Sequence, residues 1–144
     1  MKEFIVRKEV TINEPPSTVW EALTDLSKTK KYFFNCEIFS TWKAGSPITF
    51  KGKIFLIKKI EMSGQILNVK PCRLLQYTLR NGKSDTSFST INDKLISDNG
   101  KTILKISDDM GSGERAEKRY KRSLKGWDKV LKSLKQFIES ENEK

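Results

Sequence analysis

Apolar residues recur with two different periods along this 144-residue chain, and the changes of period divide it into elements. Phe4, Val6, Val10 and Ile12 alternate with polar residues, with Lys8 breaking the series. The segment "FIVRKEVTI" therefore reads as a half-buried first strand. Pro15–Pro16 stops it, and proline suits the first turn of a following helix. Val19, Trp20 and Leu23 give that helix its apolar side, and Thr18 with Glu21 has capping-box spacing. A second short helix is expected over Leu26–Phe33, with Tyr32 and Phe33 as core anchors.

From about Asn35 the pattern becomes that of strands. "CEIFSTW" leads through a turn at "KAGSP" into one long strand, "ITFKGKIFLIKKI". "GQILNVKP" and "RLLQYTLR" follow, joined at "KPCR", with Leu75, Tyr77 and Leu79 on one face. "NGKSD" is a turn, and "TSFSTINDKLI" and "TILKIS" flank Asn99-Gly100, a strong hairpin signal. The last segment has the helical period. From Gly113 to Glu141, Ala116, Tyr120, Leu124, Trp127, Leu131, Leu134 and Ile138 form one stripe, widened by Val130 and Phe137. Gly126 stands inside this helix although glycine costs roughly 1 kcal/mol there. Its place before Trp127 favours a packing role over a tolerated surface glycine.

A long helix with one wide apolar stripe needs a large surface to cover. The meander is the only such surface in the chain, so the expected fold is α+β, a bent antiparallel sheet wrapped around the C-terminal helix. No linker, repeat or low-complexity stretch interrupts residues 1–144, which read as a single domain.

Composition excludes several chemistries. The chain has no histidine, so a Ser-His-Asp triad, a Cys-His pair and a histidine-ligated zinc site are impossible. Its two cysteines, Cys36 and Cys72, cannot form an all-thiolate zinc site and read as reduced structural thiols. No metal, cofactor or catalytic residue is assigned. Glu9, Glu37, Glu61, Asp85, Asp93, Asp108 and Asp109 look scattered, with Asp108-Asp109 read as a turn or surface pair at a strand end. No apolar run approaches 18 residues and the N-terminus carries charges throughout, which argues against membrane insertion and a signal peptide and for the cytoplasm.

The net charge of +10 invites an anionic partner. Much of it lies on the last helix, at Arg115, Lys118, Arg119, Lys121, Arg122, Lys125, Lys129, Lys132 and Lys135. No aromatics interleave with the exposed basic positions, so a solvated face is favoured and no specific nucleic acid is expected. "GSGER" before that helix lacks the Lys-Ser/Thr of a P-loop and reads as a hinge.

Five segments in this order carry a resemblance: "PPSTVWEALTD", Trp42–Gly45, "KPCRLLQYTL", "NGKTILKIS" and "GWDKVLKSLKQFIE". Together they resemble the homologues of the heat-shock-protein-90 ATPase activator, in the START-like, birch-pollen-allergen-like superfamily that includes polyketide cyclases. The resemblance implies a helix-grip fold with a cavity between the sheet and the long helix, and at Gly126 a close backbone approach or a slight bend. Trp20, Phe33, Trp42, Phe50, Tyr77, Phe88, Met110, Trp127 and Leu131 are the residues expected near it. The favoured function is noncatalytic binding of a small hydrophobic molecule, such as a lipid, flavonoid or polyketide-like compound. The alternative is a co-chaperone-like module that binds a chaperone or another acidic protein. An aromatic-cyclase-like enzyme comes third.

Overall fold

The computed structural model describes residues 3–54, 58–81, 88–112 and 114–141. In it the proline pair sets the first boundary. Strand β1 (Glu3–Ile12) ends short of it, and helix α1 (Pro16–Thr24) begins on Pro16 with extended Pro15 as its cap. No side chain caps α1. The helix starts ahead of the expected Thr18–Glu21 box because a proline in the first turn has no N–H to satisfy. Helix α2 (Leu26–Tyr32) is capped by Asp25, whose carboxylate accepts from the Ser27 N–H at 2.9 Å. The Tyr32 hydroxyl donates to the Ala22 carbonyl at 2.8 Å, and the Ile38 N–H to buried Thr29 Oγ1 at 3.1 Å. These bonds tie α2 to α1 and to strand β2 (Glu37–Ser40).

Strands β3 (Pro47–Ile54), β4 (Lys58–Lys70), β5 (Leu74–Asn81), β6 (Ser89–Asp98) and β7 (Lys101–Ser112) complete a seven-stranded sheet in the order β1-β7-β6-β5-β4-β3-β2. Every neighbouring pair is antiparallel. The single long strand expected over "ITFKGKIFLIKKI" is thus two. β3 and β4 fold back on each other with Phe50 opposite Met62, which pairs backbone groups that a straight continuation would leave unpaired. The expected turn "NGKSD" falls largely on residues outside the described ones, as does Asp85.

Helix α3 (Glu114–Glu141) lies across the inner face of the sheet. Ala116, Trp127, Leu131, Leu134 and Ile138 of its stripe are buried, together with Val130. Inward positions alternate along the strands as the pleat requires: Ile91, Asp93 and Leu95 on β6, and Thr102, Leu104, Ile106, Asp108 and Met110 on β7. Lys8, the break in the first strand's pattern, is an ion-pair partner of α3, its ammonium 3.0 Å from Asp128. The far end of α3 is fastened by Glu139, which accepts from the Asn13 N–H at 2.8 Å, and by Lys28, which bridges Glu141 at 2.9 Å and Glu21 at 3.1 Å.

Gly126 does not mark a close approach. A Cβ there would meet nothing within 4 Å, so the helix simply tolerates it. Among the described glycines two do mark one: Gly52 on β3, where a Cβ would fall 2.7 Å from the Asn35 carbonyl oxygen, and, more severely, Gly64 on β4, where it would fall 1.7 Å from the Thr78 carbonyl oxygen. Here the Gln65 N–H donates to Thr78 Oγ1 at 3.1 Å.

Candidate ligand site between the sheet and the long helix

Six of the nine expected residues meet around one interior space: Phe33, Trp42, Phe50, Tyr77, Trp127 and Leu131. Three do not. Phe88 is 55% exposed, three positions before inward-facing Ile91 and so out of phase with it. Trp20 is half-buried on α1, whose inward residues are Val19, Ala22 and Leu23. Met110 is buried and in phase on β7, but lies beyond Asp108 and off the cavity wall.

The rings form a connected series. Phe33 lies edge-on to Phe50 at 5.2 Å and to Trp127 at 6.0 Å, and Phe50 lies 6.0 Å from Tyr77. Such pairs add about 0.5–1.5 kcal/mol beyond their buried area. They close the interior tightly: the space is ≈ 20 Å³. That admits one water, whereas ligand pockets span roughly 300–1,000 Å³. Phe33 and Trp42 are only half-buried and stand at its rim. Phe33 is followed by Phe34 and Asn35 at φ +47° and +59°, a backbone region that costs non-glycine residues about 1–2 kcal/mol each.

The wall carries one charged residue among the described residues, Asp93. It is 4% exposed, and its Oδ1 has no hydrogen-bond partner. Asp108, on the adjacent strand, is also buried, and its Oδ2 accepts from Trp127 Nε1 and Ser123 Oγ, both at 2.8 Å. The register sets Asp93 opposite Ile106 and Asp108 opposite Ile91, so the two residues are diagonal neighbours on one face, their backbone positions about 7–8 Å apart. The expectation of a surface turn at Asp108 is therefore wrong. β7 continues through it, and its side chain points into the core. The signal was present in the alternation, since Asp93 is in phase with Ile91 and Leu95, and Asp108 with Leu104 and Ile106.

Burial, and next the charge of Asp108, push the Asp93 carboxyl up to about 7. Burial also raises Asp108, while the Trp127 and Ser123 bonds pull it back. The folded protein thus holds a proton on Asp93 that the unfolded chain gives up near pH 4. Stability from this group is complete at low pH and is lost as pH rises through about 7. Asp93→Asn is expected to remove that slope and to be the more stable protein at pH 8. Urea titrations of both proteins at pH 5, 6, 7 and 8 measure it. Parallel profiles would show that Asp93 is not buried as a neutral acid.

Burial raises the Cys36 thiol to about 11, which leaves it inert at neutral pH. Among the described residues no group of three His, Cys, Asp or Glu side chains could hold a metal, and no helix is long and apolar enough to cross a membrane. On the outer surface, Lys30 and Lys31 of α2 face Lys129 and Lys132 of α3 across an open groove that holds Phe34, which is 40% exposed.

A curved antiparallel sheet that grips one long helix over an interior space is the helix-grip, START-like architecture. The chain belongs to the family of Activator of Hsp90 ATPase homolog 1-like proteins, which it matches over residues 13–139. The solution structure of ChR145 from Cytophaga hutchinsonii is similar over the full length of both chains, with 29% identity and a TM-score of 0.78. The crystal structure of MLL2253 from Mesorhizobium loti is similar over 94% of this chain and 97% of its own, with 20% identity and a TM-score of 0.77. CalU16 from Micromonospora echinospora, at 20% identity and a TM-score of 0.73, covers 95% of this chain and matches over 85% of its own. No functionally curated protein matches the chain.

Proposed function

We propose that this chain is a noncatalytic module that takes a small, mostly apolar molecule into the space between the sheet and α3. The observation that carries the reading is Asp93, a buried carboxyl with an unpartnered oxygen on an aromatic-lined cavity wall. A core built only for stability gains nothing from such a group, because an unpaired buried polar atom costs about 1–3 kcal/mol and a charged one more. Perturbed acids in apolar enclosures mark functional sites. The cavity of ≈ 20 Å³ is then the closed state. Phe33 is its plug, a half-buried ring that follows α2 and precedes two residues in left-handed backbone.

The neutral dye N-phenyl-1-naphthylamine tests this. Uptake is expected to raise dye emission and quench tryptophan emission, with affinity in the micromolar range. Phe33→Ala, which removes the plug, should bind faster and more tightly. Leu131→Trp, which fills the cavity, should not bind, and circular dichroism checks that it is folded. Saturable binding by neither the natural protein nor Phe33→Ala would mean that the interior is only a core. Function would then pass to the outer surface, where the lysine groove around Phe34 suits an acidic partner protein, the co-chaperone-like alternative.

A further inference from the structure

We propose that the ligand taken up beside Asp93 carries an ammonium group, so that the interior is a site for an aryl- or alkylamine. This rests on the uptake reading above and adds the chemistry of the ligand's polar end.

Asp93 has Ile91 and Leu95 beside it on β6, and Leu75 and Ile106 opposite it on the two flanking strands. None of these can donate a hydrogen bond from its side chain. Asp108 also has an unpartnered oxygen, Oδ1, but Trp127 and Ser123 serve its other oxygen, Arg119 stands near it, and it lies off the cavity wall. The Arg119 guanidinium is engaged with the Met110 carbonyl at 3.0 Å. Helix α3 turns Trp127, Val130, Leu131 and Leu134 to the cavity, and α2 turns Tyr32. The phenols of Tyr32 and Tyr77 are pushed up by burial and stay neutral. Among the described residues the cavity wall therefore holds an acid and no cation.

A wholly apolar ligand would leave Asp93 as unsatisfied as it is without one. An ammonium would donate to Oδ1 and cancel the charge. Phe33, Phe50, Tyr77 and Trp127 line the same space, and an aromatic ring attracts a cation placed over its face, most strongly where water is excluded. The surface charge of +10 works against a cation at long range. At physiological salt, however, the screening length is about 8 Å, so the local carboxyl dominates inside the cavity. Asp93 must be ionised to hold the ammonium. Because its carboxyl titrates near pH 7, with Asp108 as the neighbouring charge, amine binding should strengthen as pH rises from 6 to 8.

The test compares 2-phenylethylamine with 2-phenylethanol, a neutral analogue of nearly the same shape, by tryptophan quenching at pH 8. Both are titrated into the natural protein, Asp93→Asn and the unplugged Phe33→Ala. The amine is expected to bind at least tenfold more tightly than the alcohol. Asp93→Asn should lose that preference and keep its affinity for the alcohol. Amine affinity should fall several-fold between pH 8 and pH 6 while alcohol affinity stays constant. Equal binding of the two, or a preference that survives in Asp93→Asn, overturns the ammonium proposal and leaves uptake standing. Binding of neither, even to Phe33→Ala, overturns both and leaves a single buried water as the partner of Asp93.

Discussion

Trp127→Ala is expected to lower the stability of the protein by about 3–5 kcal/mol, the range for large aromatic truncations in cores. The indole is 8% exposed, lies 6.0 Å from the Phe33 ring and bonds Asp108 at 2.8 Å. Alanine would therefore open a void and strip a buried acid of a donor together. Trp127→Phe separates the two losses. It keeps most of the ring packing and removes the N–H, for which about 1–3 kcal/mol is expected. Urea unfolding followed by far-ultraviolet circular dichroism reads both. A loss below about 1 kcal/mol for the alanine variant would mean that α3 does not cover the sheet through this residue.

The second large effect is expected at a glycine. Gly64→Ala should cost about 3 kcal/mol, the upper end for overpacking, because the obstacle is backbone. A methyl at 1.7 Å from the Thr78 oxygen can be relieved only by moving β4 away from β5. Gly126→Ala is the control in the same measurement. Its added methyl meets nothing within 4 Å, so it should be neutral or stabilising by about 1 kcal/mol. If both substitutions are equally mild, the strands do not approach each other as described.

These two glycines show what the sequence could and could not convey. Both lie inside regular elements, and nothing in the neighbouring letters separates the crowded one from the open one. Crowding at Gly64 comes from a residue 14 positions away, brought there by the β4–β5 pairing. The order of elements was legible because each is amphipathic with its own period and most boundaries carry proline, glycine or asparagine, the α1–α2 boundary at Asp25 being an exception. The division of "ITFKGKIFLIKKI" was not, because no proline, glycine or asparagine stands in the sequence between Ile54 and Lys58. Among the site residues, the aromatics were found where parity or helical phase turned them inward, and Phe88 was misplaced where parity turned it out. The acids were missed for a different reason. Charged residues are read as solvent-facing by default, and that habit overrode an alternation that put Asp93 and Asp108 with the core. Lys8 is the same lesson in reverse, a charge on an inner face that is paired across the layers.

The pairing of β1 with β7 has a consequence in time. Arg7 and Ser107, partners in the sheet, are a hundred residues apart in the chain. At roughly 5–20 residues per second, β1 leaves the ribosome on the order of 5–20 s before the strand it must join. Closing so long a loop is slow, and α3, which covers β1, is made later still. Throughout that interval Val6, Val10 and Ile12 have neither partner strand nor helix over them. The charges interspersed among them, Arg7, Lys8 and Glu9, are then what keeps the first strand of a nascent chain from pairing with the first strand of another.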